Sequence, residues 1–236
     1  SVKDIEELHR GGGLESIPSN AVITPSARDR LNELDVKLVK RSGGHVSATT
    51  SKNNGALDEN GIDQSVRANS SKTDIERLFN SPAVHELKEQ ICDVGRRLWQ
   101  RAYVDGNGGN LSIRLTEDVV LCTPTLVSKG FMKPEDLCLV DLEGNQLAGI
   151  KNRTSEILMH LSIMKAQPKA RAVSHAHPPY ATGFAVAGVQ PPTCMIPEIE
   201  VFIGRVPIAP YETPGTPEMG LKVAELVDKH NTVLME

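Results

Sequence analysis

The chain has 236 residues, a formal net charge of −4 and 39% hydrophobic residues. That is length for one large domain, or one domain with an extension, and apolar content for an ordinary core. A slightly acidic chain without a long basic run is excluded as a dedicated nucleic-acid binder, and no apolar stretch approaches the ~20 residues that span a membrane.

Cys92, Cys122, Cys138 and Cys194 are widely spaced and form no C-x-x-C pair. They read as small buried hydrophobes in a reducing compartment rather than as a zinc ribbon or a disulfide framework. With no signal-peptide pattern at the start, the chain reads as cytoplasmic.

Residues 1–73 and 74–236 differ in character. Val2, Ile5 and Leu8 mark a turn or two of amphipathic helix, which Gly11, Gly12 and Gly13 end. Thr24 as N-cap and Pro25 at the first helical position start another helix, and 36–39 could extend as a strand. The stretch 41–69 is rich in Ser, Gly, Asn and Thr and too poor in large apolar residues to order itself. The expected organisation is an N-terminal extension with short helices over 1–40, a flexible linker over 41–73 and a folded domain over 74–236.

Thr73 or Asp74 caps the first helix of that domain. Val84, Leu87, Ile91, Val94 and Leu98 then repeat at helical spacing, with a break near Ser81 and Pro82. Strands are expected over 110–115 and 119–122, joined at Thr116-Glu117-Asp118, and over 137–140, followed by a turn at 141–145. A helix over 153–166 ends before Pro168, and a strand over 172–176 ends before Pro178 and Pro179. A helix over 179–187, a strand over 206–209, a helix over 216–229 and a strand over 232–235 complete the chain. Interleaved strands and helices make the class α/β.

Four features carry chemistry. His175 and His177 are two apart at the end of an apolar strand, so alternation puts both imidazoles on one face, half of a tetrahedral metal site. Glu156, in Arg153-Thr154-Ser155-Glu156, opens a helix whose start is favourable for a carboxylate or a bound anion. Beside a metal such a carboxylate can act as a general base. The loop Gly106-Asn107-Gly108-Gly109-Asn110-Leu111-Ser112 offers backbone N–H groups and an amide to an anion, without the Gly-Lys-Ser/Thr of a nucleotide P-loop. Thr123-Pro124-Thr125 is a turn with free hydroxyls. Taken singly, each reads equally well as a turn, a cap or a polar strand end.

In this order the four pieces resemble the class II (metal-dependent) sugar-phosphate aldolases, most closely L-fuculose-1-phosphate aldolase, in a superfamily that also holds ribulose-phosphate 4-epimerases and the adducin head. The likeness covers roughly 74–236 and extends to His175-Ala176-His177-Pro178-Pro179-Tyr180-Ala181-Thr182 and Ala209-Pro210-Tyr211-Glu212-Thr213-Pro214-Gly215-Thr216. It implies a three-layer α-β-α sandwich around a mostly antiparallel central sheet, preceded by a partly disordered extension. It makes His175 and His177 two of three zinc-binding histidines and Glu156 the catalytic carboxylate, which also approaches the metal in the empty site. Gly109, Asn110, Thr125, Thr154 and Ser155 become the residues that hold the substrate phosphate.

Two departures stand out. After Thr125 the family aldolases usually carry Gly, where this chain has Leu126. The third histidine belongs to an N-H-G or H-H-G motif right after a strand like 232–235, so it is expected beyond Glu236, with the domain's C-terminal part; His230 does not match it and reads as a surface residue.

The resemblance implies a zinc-dependent lyase that cleaves a deoxyhexulose 1-phosphate, L-fuculose or L-rhamnulose 1-phosphate, to dihydroxyacetone phosphate and L-lactaldehyde. Epimerases of this pattern tend to carry Asp at the position of Glu156, which favours the aldolase. Dehydratase and decarboxylase relatives share the Glu, and an adducin-like scaffold would lack the histidines. A homotetramer with sites at subunit interfaces is implied as well. The opening amphipathic segment, Gly run and linker resemble the encapsulation peptides of bacterial microcompartment enzymes, which dock on a shell protein; a disordered tail is the competing reading.

Overall fold

The computed structural model describes residues 57–193 and 196–236. The short helices expected over 1–40, the shell-docking segment and residues 41–56 of the linker lie outside the described residues.

Two serines set the first helices. Ser71 caps α1 (Lys72–Phe79) by accepting from the Asp74 N–H, and Ser81 caps α2 (Pro82–Gln100) by accepting from Val84, with Pro82 preset for the first turn. The interruption expected near Ser81 is therefore a second helix start. The helices bury Ile75, Leu78, Val84 and Ile91 along one stripe.

That stripe covers one face of a five-stranded antiparallel sheet, in the order β4-β3-β2-β1-β5. The strands are β1 (Asn110–Arg114), β2 (Val119–Cys122), β3 (Cys138–Asp141), β4 (Gln146–Ala148) and β5 (Ala172–His175). Alternation sorts the two inner faces. Leu121, Val119 and Leu139 pack with α1 and α2, whereas Val120, Cys122, Cys138 and Val140 pack with Ile157, Leu161 and Met164 of α3 (Ile157–Ala166). Helices on both faces of an antiparallel sheet make the expected α/β three-layer sandwich.

Beyond the sheet come α4 (Pro179–Val186), α5 (Pro197–Phe202), β6 (Ile208–Ala209), α6 (Pro217–Ala224) and β7 (Leu234–Met235), β6 and β7 forming a separate parallel pair. Met219 and Val223 of α6 pack on Met159 of α3. The approach is close because position 220 is glycine: a Cβ there would stand 2.7 Å from Ser162 Oγ.

The linker expected over 41–73 is corrected for its described part. Ile62 and Val66 are 2% and 3% exposed and join the core under α1 and α2. Asp58 Oδ1 accepts from the backbone of Asn60 and Ile62, and Gln64 Nε2 donates to the Leu115 carbonyl at 2.8 Å. Polar composition does not preclude order when two apolar anchors four residues apart meet a groove already made by a helix layer and a sheet. No helix among the described residues is long and apolar enough to cross a membrane.

Candidate active site

The site lies where the start of β1, the end of β5 and the start of α3 meet. Antiparallel register sets Asn110 opposite His175. Residues 153–156, expected as helix, are not helical: Arg153 forms a bridge to Pro124, Thr154 N–H donates to the Thr123 carbonyl at 3.0 Å, and 155–156 turn into the helix. The helix proper begins at Ile157, with Glu156 as its N-cap residue.

Three of the sequence-selected residues join in one hydrogen-bonded chain that leads to the fourth. Glu156 Oε2 accepts from Asn110 Nδ2 at 2.5 Å and contacts His175 Nδ1 at 2.9 Å. His175 Nε2 in turn stands 3.2 Å from His177 Nε2, the two rings edge to face. Burial alone would push the Glu156 carboxyl up. The hydrogen bond from His175 and its field, with the Asn110 amide, outweigh burial and hold the group down at about 2. His177 is shifted below the ordinary imidazole range, first by burial and then by His175, which keeps it neutral, as a metal ligand must be.

The imidazole pair fits a divalent ion. In a tetrahedral site with ordinary zinc–nitrogen bonds, neighbouring ligand nitrogens stand about 3.3 Å apart, close to the spacing of the two Nε2 atoms. With Nδ1 on a carboxylate, His175 has its Nε2 turned outward, toward His177. Among the described residues no group of three or more His, Cys, Asp or Glu converges on such an ion. Glu156 Oε2 lies 2.9 Å from Nδ1 of His175, on the side of the ring away from His177.

The residues expected around the phosphate frame this centre. Thr154 is buried, its Oγ1 accepting from the Glu156 N–H at 3.4 Å. Ser155 is exposed beneath the passing backbone of Gly215. Thr125 donates its N–H to the Asn152 carbonyl, so its hydroxyl rather than its amide is available. Gly109, at φ +70°, lies against the His175 carbonyl, where a Cβ would come to 2.8 Å. Asn110 is 4% exposed and already commits one amide N–H to Glu156. Leu126, where the resembling aldolases carry glycine, adopts φ +56° with its side chain 77% exposed. The left-handed turn is thus kept without the residue that favours it, at a cost of roughly 1 kcal/mol.

Two participants carry no local signal of the kind used above. Lys129 is 2% exposed, and its ammonium donates to the carbonyls of Val127 (2.7 Å) and Asn107 (3.3 Å), tying the turn after Thr125 to the Gly-Asn loop. His160 is fully buried, with Nε2 2.5 Å from Asn110 Oδ1 and Nδ1 2.7 Å from Ser112 Oγ. Its position four residues after Glu156, on the same helix face, is the signal that could have drawn attention to it.

Burial pulls His160 down to about 3 from 6.5, so the folded protein holds this ring neutral. Between those values the unfolded chain binds the extra proton, and stability falls as the solution is acidified. The slope from this one group reaches about 1.4 kcal/mol per pH unit. Glu156, lowered from 4.5 to about 2, adds to the loss further down. His160→Gln is expected to flatten the loss of stability between about pH 6 and pH 4, as read from urea midpoints at each pH.

Comparison with known proteins bears on the family and the fold. The family model described as the Class II Aldolase and Adducin N-terminal domain matches residues 89–236. A 3-oxo-tetronate 4-phosphate decarboxylase of Cupriavidus necator is 34% identical over 155 residues, 64% of this chain and 70% of the relative. An L-fuculose phosphate aldolase of Methanococcus maripaludis is 36% identical over 139 residues, 59% and 75% of the two chains. Among solved structures, an L-fuculose-1-phosphate aldolase from Thermus thermophilus superposes with a TM-score of 0.57 at 28% identity, covering 64% of this chain and 74% of its own.

Proposed function

The chain belongs to the class II aldolase and adducin family, and from that premise we propose that it is a zinc-dependent lyase that cleaves L-fuculose or L-rhamnulose 1-phosphate to dihydroxyacetone phosphate and L-lactaldehyde. One observation carries the reading: a carboxylate, Glu156, hydrogen-bonded to an imidazole whose outer nitrogen pairs with a second imidazole.

A divalent ion held by His175 and His177, with the third histidine that the family pattern implies, would supply a Lewis acid that draws negative charge onto the ketone oxygen. The chain's own residues supply the proton traffic. Glu156 is ionised at neutral pH, so it can accept the hydroxyl proton as the carbon–carbon bond breaks. The aldehyde leaves and the electron pair stays on the carbon beside the carbonyl. The same carboxyl then returns the proton to that carbon, and the proton count closes. Thr125, Thr154, Ser155, Gly109 and the remaining Asn110 N–H hold the phosphate, so binding energy far from the reacting carbon orients it.

A second reading, decarboxylation of a keto-acid phosphate, is favoured by relatives named 3-oxo-tetronate 4-phosphate decarboxylase. Loss of CO2 leaves the same electron pair beside a carbonyl, but no hydroxyl proton is released for Glu156 to recycle. A base that is ionised at rest suits the aldol cleavage better. A homotetramer belongs to the proposal too, and the exposed Tyr180, Val201, Phe202 and Tyr211 give it apolar surface to bury.

The test offers the zinc-loaded full-length protein both substrates. Dihydroxyacetone phosphate and L-lactaldehyde are expected from the hexulose phosphates, lost on chelation and regained with zinc. CO2 from 3-oxo-tetronate 4-phosphate, with the hexulose phosphates left intact, would decide for the second reading.

A further inference from the structure

Inward of Glu156 the site does not end in apolar packing but continues as a hydrogen-bonded file. Glu156 and His160 lie four apart at the start of α3, and Asn110 and Ser112 lie two apart on β1. The two pairs interlock: Ser112 Oγ to His160 Nδ1, His160 Nε2 to Asn110 Oδ1, Asn110 Nδ2 to Glu156 Oε2. Ser112, His160 and Asn110 are 1%, 0% and 4% exposed, so bulk water cannot replace any of these partners.

A single assignment of hydrogens satisfies every atom with Glu156 ionised. A carboxylate only accepts, so the NH2 end of Asn110 must face it. The carbonyl end then faces His160, whose Nε2 must carry the ring hydrogen. Nδ1 is left bare and takes the Ser112 hydroxyl hydrogen. In the other imidazole tautomer Nε2 would be bare, the Asn110 amide would turn over, and its carbonyl oxygen would press on the carboxylate. The tautomer of one buried ring thus decides which end of an amide the carboxylate meets.

We propose that His160 is a positioning residue: held by Ser112 with its hydrogen on Nε2, it fixes the Asn110 amide, and Asn110 in turn aims Glu156. The proposal rests on the reading that Glu156 moves the proton in the reaction. It assigns His160 no contact with substrate or metal, since both ring nitrogens are already engaged.

The experiment uses the zinc-loaded full-length protein. Nitrogen-15 NMR of the wild type is expected to show the buried His160 ring protonated on Nε2; protonation on Nδ1 overturns the proposal. His160→Gln places an amide where Nε2 was and keeps a donor to Asn110, whereas His160→Asn reaches only the Ser112 side. His160→Asn is expected to lower kcat about 10–100-fold with KM and zinc content little changed, while His160→Gln keeps most of the turnover. Adding Glu156→Gln to His160→Asn is expected to cost no more than Glu156→Gln alone. Equal kcat for the Asn and Gln variants also overturns the proposal. If His160→Asn does not fold, the wild-type tautomer and the His160→Gln turnover still decide. Should Glu156→Gln alone keep full turnover, the assigned reaction fails, while the NMR result stands apart from it.

Discussion

Glu156→Gln is expected to lower kcat by about 10²- to 10⁴-fold, the range a positioned general acid–base supplies, and to leave the fold intact. The substitution is close to a pure removal of charge and proton affinity. One carboxylate oxygen, Oε2, receives both Asn110 and His175. A glutamine carbonyl in the same place accepts both hydrogen bonds, so neither partner is orphaned. Glu156→Ala, by contrast, would leave the buried Asn110 amide and the largely buried His175 ring without their acceptor and is expected to cost a further 1–3 kcal/mol or so of stability. Zinc binding weakens about 10–100-fold when a ligand loses its supporting carboxylate, so turnover must be measured at saturating zinc. A Gln variant with wild-type kcat under those conditions would remove Glu156 from the chemistry.

His177→Ala and His175→Ala are each expected to abolish measurable turnover and to reduce zinc affinity by more than the roughly 100-fold that loss of a supporting hydrogen bond costs. The two variants are expected to differ in what remains. His177 is the outer ring of the pair, tied to the chain by its backbone N–H on the Tyr103 carbonyl, and its removal leaves the Glu156 contacts in place. His175 is the inner one, its side chain 10% exposed, and its removal also frees Glu156 from one partner. The carboxyl pKa should therefore rise in His175→Ala and stay near its original value in His177→Ala. Zinc content by mass spectrometry, competition with a coloured chelator and carbonyl-carbon NMR of Glu156 check both parts. Retention of stoichiometric zinc in His177→Ala would refute the paired-imidazole site.

The elements of the sandwich were legible because their signals are local. A cap marked α1, a helical repeat marked α2, turn signals marked β1 to β3, and Pro178 with Pro179 ended β5 on the histidines. The site was legible as a set of residue types, and the structure links Asn110, Glu156, His175 and His177 in sequence. What the residues do to one another was not. Register between β1 and β5 is fixed by the whole sheet, and it alone sets Asn110 beside His175, making the amide a partner of the carboxylate as well as a candidate for the phosphate. His160 sits in an otherwise apolar helix and announces nothing, because a buried polar ring is defined by partners fifty residues away. Lys129 is hidden for the same reason. Three-residue β4 and six-residue α5 are too short for any period to emerge, and the order of 57–71 comes from the groove that receives it.

Among the described residues β5 is the outermost strand on its side of the sheet, bonded to β1 alone. A strand tethered on one flank is the first to fray, and here that strand carries His175 and leads directly into His177. An ion gripping both rings would therefore act as a rivet at the sheet's weakest seam, each tenfold rise in free zinc above the dissociation constant adding about 1.4 kcal/mol against unfolding. Starving the protein of zinc would then loosen the scaffold as well as silence the chemistry, making metal supply a control on how long the protein survives as well as on how fast it works.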